Sequence, residues 1–291
     1  MKMKHRLPVI LLSFAFFLLL ITLIFIFPLD NGGGSQTTDL SGNDDNYIPE
    51  TIIYDDIISD PITDNTPDGV SYKVVESTVI TDKANGSRIV ERYPRFDGYH
   101  GLNTDTDINY LIDLHRKDMM RTYGEGLYKE IGSQSQVVYE IESFEVAYAD
   151  LGFISIVYYG YNSIIGGNLN VDTGRREFCC TLNIDVLNMS IIEKNEILSD
   201  LSILKNVFLD GKMKLVDGPD GLLSSTTYED LFYQYSSKYK IYPDFYFTKE
   251  NIMIIISLTP DVDGYAVFSY NINEARDFIY EDHSALSDLF S

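Results

Sequence analysis

Beyond residue 70 the apolar positions recur mostly at every second residue, the period of a half-buried strand. Only a few stretches lengthen to the three-and-four spacing of a helix. Val70–Asp82 and Ser87–Phe96 flank Lys83-Ala84-Asn85-Gly86, and Asn-Gly between two such runs predicts a tight hairpin. Ile108, Leu111, Ile112, His115 and Met119 fall on one face of a helix predicted from about Asp105 to Tyr123, with Gly124 as its stop. Val137, Tyr139 and Ile141 then alternate with Val138, Glu140 and Glu142. The phase slips at Ser143 and resumes as Phe144, Val146 and Tyr148, which predicts a bulge.

Phe153–Tyr161 is apolar on both faces, as a central strand must be. Phe178, Cys180, Leu182, Ile184 and Val186 alternate cleanly with Cys179, Thr181, Asn183 and Asp185. Leu201, Leu204 and Phe208, followed by Gly211, predict a short helix. A second is expected to start at Thr226 with Glu229 completing a capping box, burying Tyr228, Leu231, Phe232, Tyr235 and Tyr239. Asp244–Thr248, Ile252–Leu258 and Tyr265–Tyr270 read as strands, and Glu274 to about Tyr280 as a closing helix. Strand runs interrupted by helices, without regular strand–helix–strand units, predict an α+β fold: an antiparallel sheet with a few packed helices.

The N-terminus follows a different pattern. Leu7 to Leu29 carries no charge; at ~1.5 Å per residue a helix of that length reaches roughly 34 Å, enough to cross a bilayer core of ~30 Å. A cleaved signal peptide is the rival reading, but its apolar core is usually about 7–15 residues and ends in small residues. Here Phe25, Phe27, Pro28 and Leu29 occupy that end, and no lipid-accepting cysteine follows. Lys2, Lys4 and Arg6 precede the run and the next base is Lys73, so the positive-inside bias places the N-terminus in the cytoplasm. The division expected is a cytoplasmic stub at 1–6, an uncleaved signal anchor at 7–29 and an acidic, disordered linker at 30–69. One extracytoplasmic domain follows, its N-terminal part at 70–190 and its C-terminal part at 191–291. The linker holds ten acids, no base, a Gly-rich start and three prolines, which favours an extended tether. Apolar residues return at Tyr47–Ile58, the one place in it suited to binding.

Charge narrows the partners. The 291 residues carry a net −22 at 45% apolar and 23% charged composition, a globular chain without the basic face that nucleic acid requires. The linker's ten acids and the stub's three bases leave about −15 for residues 70–291. Candidate chemistry is sparse. His5, His100, His115 and His283 show no metal-ligand spacing, and no Gly-x-Ser-x-Gly elbow occurs. His115 is read as packed and hydrogen-bonded within its helix stripe. Asp217-Gly218-Pro219-Asp220-Gly221 and Asp261-Val262-Asp263-Gly264 alternate oxygen ligands around glycine, but neither completes a calcium loop, and both read as tight turns.

Cys179 and Cys180 are neighbours in one strand and so point to opposite faces, which opposes a bond between them. Cys180 is read as a core residue and Cys179 as a partly covered thiol. Tyrosines number 22 and tryptophans none. Tyr158, Tyr159 and Tyr161 suggest a sugar platform, but a Tyr-rich sheet core with hydroxyls at its rim is the reading adopted. No catalytic, cofactor-binding or metal-binding residue is assigned, and the chain is read as non-enzymatic, with no cofactor.

From about Arg88 to Asp282 the chain resembles the extracytoplasmic module shared by the peptidoglycan deacetylase PdaC and the anti-sigma-V factor RsiV, a family of unknown function. The likeness is carried in order by Tyr93-Pro94 with Gly98, Ile108-Asn109, Ser143-Phe144-Glu145-Val146-Ala147-Tyr148 and Ile154-Ser155-Ile156-Val157. Gly160-Tyr161, Gly166-Gly167, Leu182-Asn183-Ile184-Asp185 and Phe245-Tyr246-Phe247-Thr248 complete it. Tyr93, Pro94, Asn109, Gly160, Tyr161, Gly166 and Gly167 are taken as structural positions of the motif. After the glycine pair Asn168-Leu169 stands where the family often has Ala-His, so any role of that histidine is absent. Neither a deacetylase domain nor an anti-sigma segment accompanies the module.

The resemblance implies a wall-facing binding module, one relative of which senses lysozyme by binding it. The expectation is a single-pass cell-membrane protein that binds or senses at the envelope. Its partners would be the membrane, through residues 7–29, and a cationic extracellular protein or peptidoglycan. The alternatives are a wall-glycan enzyme using paired carboxylates and a structural envelope protein assembled through a sheet edge.

Overall fold

Two sheets are built from the described residues. The computed structural model describes residues 51–57, 72–99, 104–125, 135–166, 174–198, 200–239, 241–258, 264–277, 279, 284–287 and 289. The larger sheet holds β1 (Thr51–Ile57), β2 (Lys73–Asp82), β3 (Arg88–Asp97), β4 (Ser135–Ala149), β5 (Phe153–Gly166), β6 (Arg176–Asp185) and β7 (Ser190–Ile191), hydrogen-bonded in chain order. The smaller sheet, in order β8-β11-β10-β9, is built from β8 (Lys214–Asp217), β9 (Asp244–Phe247), β10 (Asn251–Ser257) and β11 (Tyr265–Asn271). Its pairings are all antiparallel. Residues 47–291 form one compact unit.

The hairpin forms as the sequence predicts. β2 and β3 pair from Lys73↔Asp97 to Asp82↔Arg88, and Gly86 takes the positive φ of 85° that the turn requires. Chain then leaves β3 for α1 (Thr104–Met119) and a single π-turn at Met120–Glu125 before returning as β4. That crossover makes β3 and β4 parallel, at Arg88↔Val138 through Val90↔Glu140, whereas hairpins can only produce antiparallel neighbours. α1 lies across one face of the sheet. Ile108, Ile112 and Met119 bury against Tyr139, Ile141, Ile156, Tyr158 and Leu182.

On the opposite face, Val157 and Cys179 meet Tyr246, Met253, Ile255 and Val267 of the smaller sheet. The far side of the smaller sheet, Ile252, Ile254, Ile256 and Phe268, packs on α3 (Leu201–Leu209) and α5 (Tyr228–Phe232). α2 (Lys194–Ile197), α4 (Leu222–Ser225) and α6 (Ser284–Ser287) are single turns. The order of layers is therefore helix, sheet, sheet, helix. It explains why Ile252–Ile256 reads as an unbroken apolar run: both faces of β10 are covered, and all five side chains are buried. Truncating a fully buried isoleucine there, such as Ile254, should cost about 2–5 kcal/mol.

Several expectations are corrected. The antiparallel sheet is two sheets, with one parallel pair in the larger. Within the segment read as a disordered linker, Thr51–Ile57 pairs with β2 over its whole length, from Thr51↔Thr81 to Ile57↔Val75. β4 carries the predicted slip between Ile141 and Ser143 and a second between Val146 and Tyr148. The capping box lies one residue later than expected: Thr227 Oγ1 accepts from Asp230 N–H while Asp230 Oδ2 accepts from Thr227 N–H. That helix stops at Phe232, which leaves Tyr239 68% exposed rather than buried. The closing helix is a 3-10 stretch at Ile272–Asp277. No helix among the described residues is long and apolar enough to cross a membrane; the run 7–29 lies outside them, as do residues 1–6 and the rest of the linker.

Candidate functional site

Most of the motif positions hold the fold. Asn109, on the first turns of α1, clamps β3 twice: its Oδ1 accepts from Phe96 N–H and its Nδ2 donates to Phe96 O, each at 2.9 Å. Tyr93 is 3% exposed, with the guanidinium carbons of Arg95 and Arg116 5.1 and 5.0 Å from its ring centroid. Those two arginines bind the helix to the sheet: Arg95 donates to both oxygens of Asp113 at 3.0 Å, and Arg116 donates to the buried Glu91 at 2.6 Å. Pro94 is opposite Glu76 within the hairpin. Gly160 leaves no room for a side chain, because a Cβ there would sit 2.4 Å from Glu140 O and 2.6 Å from Phe178 Cζ. Gly166 ends β5 with a φ of 82°; Gly167 lies outside the described residues.

Tyr161 is half-buried, as Asn109 and Gly166 are, and its contacts are polar. Its hydroxyl donates to Glu140 Oε2 at 2.9 Å, and Glu140 in turn accepts from Arg92 at 2.7 Å. Arg175 lies over the ring at 4.0 Å.

A cleft of about 460 Å³ opens between the C-terminal half of α1, the edge of β6 and the start of α2. Leu114, His115 and Asp118 line it from α1, Thr181 and Asn183 from β6, and Lys194 from α2. Lys194 Nζ is 2.7 Å from Asp244 Oδ1. Asp244 is only 9% exposed; burial raises its pKa while Lys194 and Thr181 pull it down, and the net direction is up. His115 was expected to be hydrogen-bonded. Its ring instead tilts against Tyr158, with centroids 5.6 Å apart, and its buried Nε2 has no partner among the described residues. Burial pushes the imidazole down to about 4, so it is neutral at pH 7.

Both cysteines are buried and unbonded. Cys180 meets Met119, Sγ to Sδ 3.0 Å, under α1, as its place on the apolar face implies. Cys179, expected to be partly covered, is fully buried between the two sheets at 4% exposure. Burial drives both thiols upward, away from the thiolate that nucleophilic or metal chemistry uses. Among the described residues no group of three or more His, Cys, Asp and Glu converges on a common point. Asp217 and Gly218 form an ordinary turn, Gly218 N–H donating to Asp217 Oδ1 at 2.9 Å. Asp261, Asp263, His100 and His283 lie outside the described residues.

The suggested tyrosine platform is divided by the strand's own period. Tyr158 is fully buried beneath α1, while Tyr159 faces the other side with Tyr161. Sequence reasoning did not find the Lys194–Asp244 pair, since it depends on the smaller sheet packing on the larger.

The described residues thus define an α+β protein of two sheets, mostly antiparallel, with a polar cleft beside its long helix. No family model matches the chain, and no curated protein matches it. Among solved structures it is similar to a DUF3298 family member from Bacteroides fragilis NCTC 9343, at 12% identity and a TM-score of 0.38, covering 72% of this chain and 94% of that one. It is also similar to a DUF3298 family protein from Pseudomonas aeruginosa PAO1, at 9% identity and a TM-score of 0.44, covering 73% and 95%.

Proposed function

We propose that this chain is a membrane-anchored, non-catalytic binding module on the outer side of the cell membrane, taking a cationic wall-associated protein such as a lysozyme-like hydrolase. One observation carries the reading. Acids outnumber bases in the domain, and eight of its bases are engaged internally: Arg88, Arg92, Arg95, Arg116, Arg121, Arg175, Lys194 and Lys205 are each ion-paired to a carboxylate. Glu145, Asp210, Asp217, Asp220 and Glu250 are exposed with no basic partner among the described residues. Surplus negative charge displayed in this way attracts cationic proteins over a Debye length and speeds their encounter. The resemblance of 88–282 to the module of PdaC and RsiV, and the uncharged run at 7–29, support the same placement.

Washed membranes from cells producing the full chain test this. The protein should stay with the bilayer through an alkaline carbonate wash. Those membranes should capture hen egg-white lysozyme at about 20 mM salt and release most of it by about 300 mM, where the Debye length is down to roughly 6 Å. Absence of capture at low salt overturns the binding reading, and release of the chain by the wash overturns the anchoring.

A further inference from the structure

Among the described residues, three of the four sheet edges are blunted. β7, at one end of the larger sheet, is two residues long. β8 is four residues long, carries Lys214, and pairs with β11 through a bulge. β9, also four residues, has its edge covered by the larger sheet: Asn183 Nδ2 donates to Phe245 O at 2.7 Å, and Phe247 N–H donates to Ser155 Oγ at 2.9 Å. Short strands, edge lysines, bulges and covering groups all stop a sheet from recruiting another strand.

β1 has none of these devices. It closes the larger sheet at the end away from β7 and is seven residues long, about 23 Å of strand. Its register with β2 is unbroken from Thr51↔Thr81 to Ile57↔Val75. Thr51-Ile52-Ile53-Tyr54-Asp55-Asp56-Ile57 holds neither lysine nor proline, and its threonine, isoleucines and tyrosine are strong strand formers. Along such an edge alternate residues turn N–H and C=O groups outward, where the sheet itself leaves them unpaired.

The same edge is negative. The register sets Asp56 opposite Glu76, and Glu76 opposite Pro94 on β3. Glu76 accepts from Thr78 Oγ1 at 3.4 Å and has no basic partner among the described residues. Like charges at opposed positions weaken a pairing, and a base opposite Asp56 on a strand added outside β1 offsets that repulsion. No Lys or Arg occurs between Arg6 and Lys73, so the β1 of a second copy brings no such base.

We infer that the outer edge of β1 takes an extended basic segment of a protein partner as an added strand, main chain to main chain, with a Lys or Arg of that segment opposite Asp56. Strand addition of this kind draws affinity from the backbone and selectivity from alternate side chains. The inference rests on the binding reading above and gives it a location and a mode.

The test titrates the full chain in detergent at low salt with a short peptide of alternating lysine and valine. Amide exchange in residues 51–57 should slow as the peptide binds. The same peptide with N-methyl groups on two adjacent central residues keeps its charge but loses a donor from each of its edges, and should bind about tenfold or more weakly. Asp56→Asn/Glu76→Gln should weaken the unmethylated peptide about threefold or more. A control that removes the same charge elsewhere, Asp220→Asn/Glu250→Gln, should weaken it about twofold or less. Equal binding of the two peptides, equal losses in the two double variants, or unchanged exchange in 51–57 would each overturn this inference and leave the binding reading standing. Failure of both the peptide and lysozyme to bind would overturn both. A dimer of the unmixed chain that the peptide dissociates would assign the edge to a second copy and overturn the inference.

Discussion

Replacing Gly160 with alanine adds one methyl group at a site with no room for it. Gly160 is opposite Phe178 across the β5–β6 ladder, and its φ lies outside the left-handed region, so the demand is for space rather than backbone freedom. The new Cβ would stand 2.4 Å from Glu140 O and 2.6 Å from Phe178 Cζ, well inside the roughly 3.5–4.0 Å at which carbon contacts are most favourable. Neither neighbour gives way cheaply. Glu140 O belongs to the backbone of β4, and the Phe178 ring is stacked on Tyr123 and Tyr139 at centroid distances of 4.4 and 5.7 Å. Overpacking a well-filled core costs about 1–3 kcal/mol, and spreading β4 from β5 places this case at the top of that range. At about 2–4 °C per kcal/mol for a domain of this size, the melting temperature should fall by ~6–12 °C. Urea unfolding followed by far-ultraviolet circular dichroism measures the loss directly. Adding Phe178→Leu should relieve the ring contact but not the carbonyl contact, so the double variant recovers only part of the loss once the cost of Phe178→Leu alone is subtracted. A loss below about 0.5 kcal/mol for Gly160→Ala would refute the steric reasoning, and full recovery in the double variant would refute its backbone half.

Two further outcomes follow from buried groups. The His115 imidazole titrates near 6.5 in the unfolded chain and is held down to about 4 in the folded one. The unfolded state therefore takes up a proton first, and stability drains as pH falls from about 6.5 to about 4, by up to roughly 3 kcal/mol. His115→Asn should flatten that part of the stability profile, leaving the lower-pH loss from Asp200, Glu229 and Asp230, whose hydrogen bonds hold them below the usual carboxylate range. An unchanged slope between pH 4 and 6.5 would refute the assignment. Cys179 and Cys180, buried and pushed upward, should resist a thiol reagent such as dithionitrobenzoate at pH 8 in the native chain and both react in denaturant. Rapid labelling of the native chain would show that the seam between the sheets is open.

Local pattern carried much of this fold, and its failures have identifiable physical sources. Asn85-Gly86 announced its hairpin because the turn residue dictates a backbone angle. The slip at Ser143 announced its bulge because one face must stay apolar. Thr226 and Thr227 are consecutive capping residues, and only tertiary packing of Tyr228 and Phe232 decides between them. The strand at Thr51–Ile57 was lost in the average of a 40-residue acidic segment, although Thr51, Ile52, Ile53 and Ile57 are strong strand formers. The parallel pairing of β3 and β4 left no local signature, since a strand's sequence records which face is buried and not which neighbour it meets.

Gly160 and Tyr161 show how far this legibility reaches. Strand alternation puts them on opposite faces of the larger sheet: Gly160 makes space beneath α1 for Phe178, while Tyr161 turns outward to Glu140 and Arg175. A dipeptide motif therefore combines a requirement of packing with a piece of surface chemistry, and the sequence alone gives no reason to separate them. The structure separates them through the neighbours. The atoms nearest Gly160 are Glu140 O and the buried Phe178 ring, whereas Tyr161 is half-buried between Glu140 and Arg175. If the first position fails, the domain loses stability, by about 3 kcal/mol for one added methyl. If the second fails, the domain should still fold and lose only the contacts of Tyr161 with Glu140 and Arg175, and that difference in failure is what separates a packing requirement from surface chemistry.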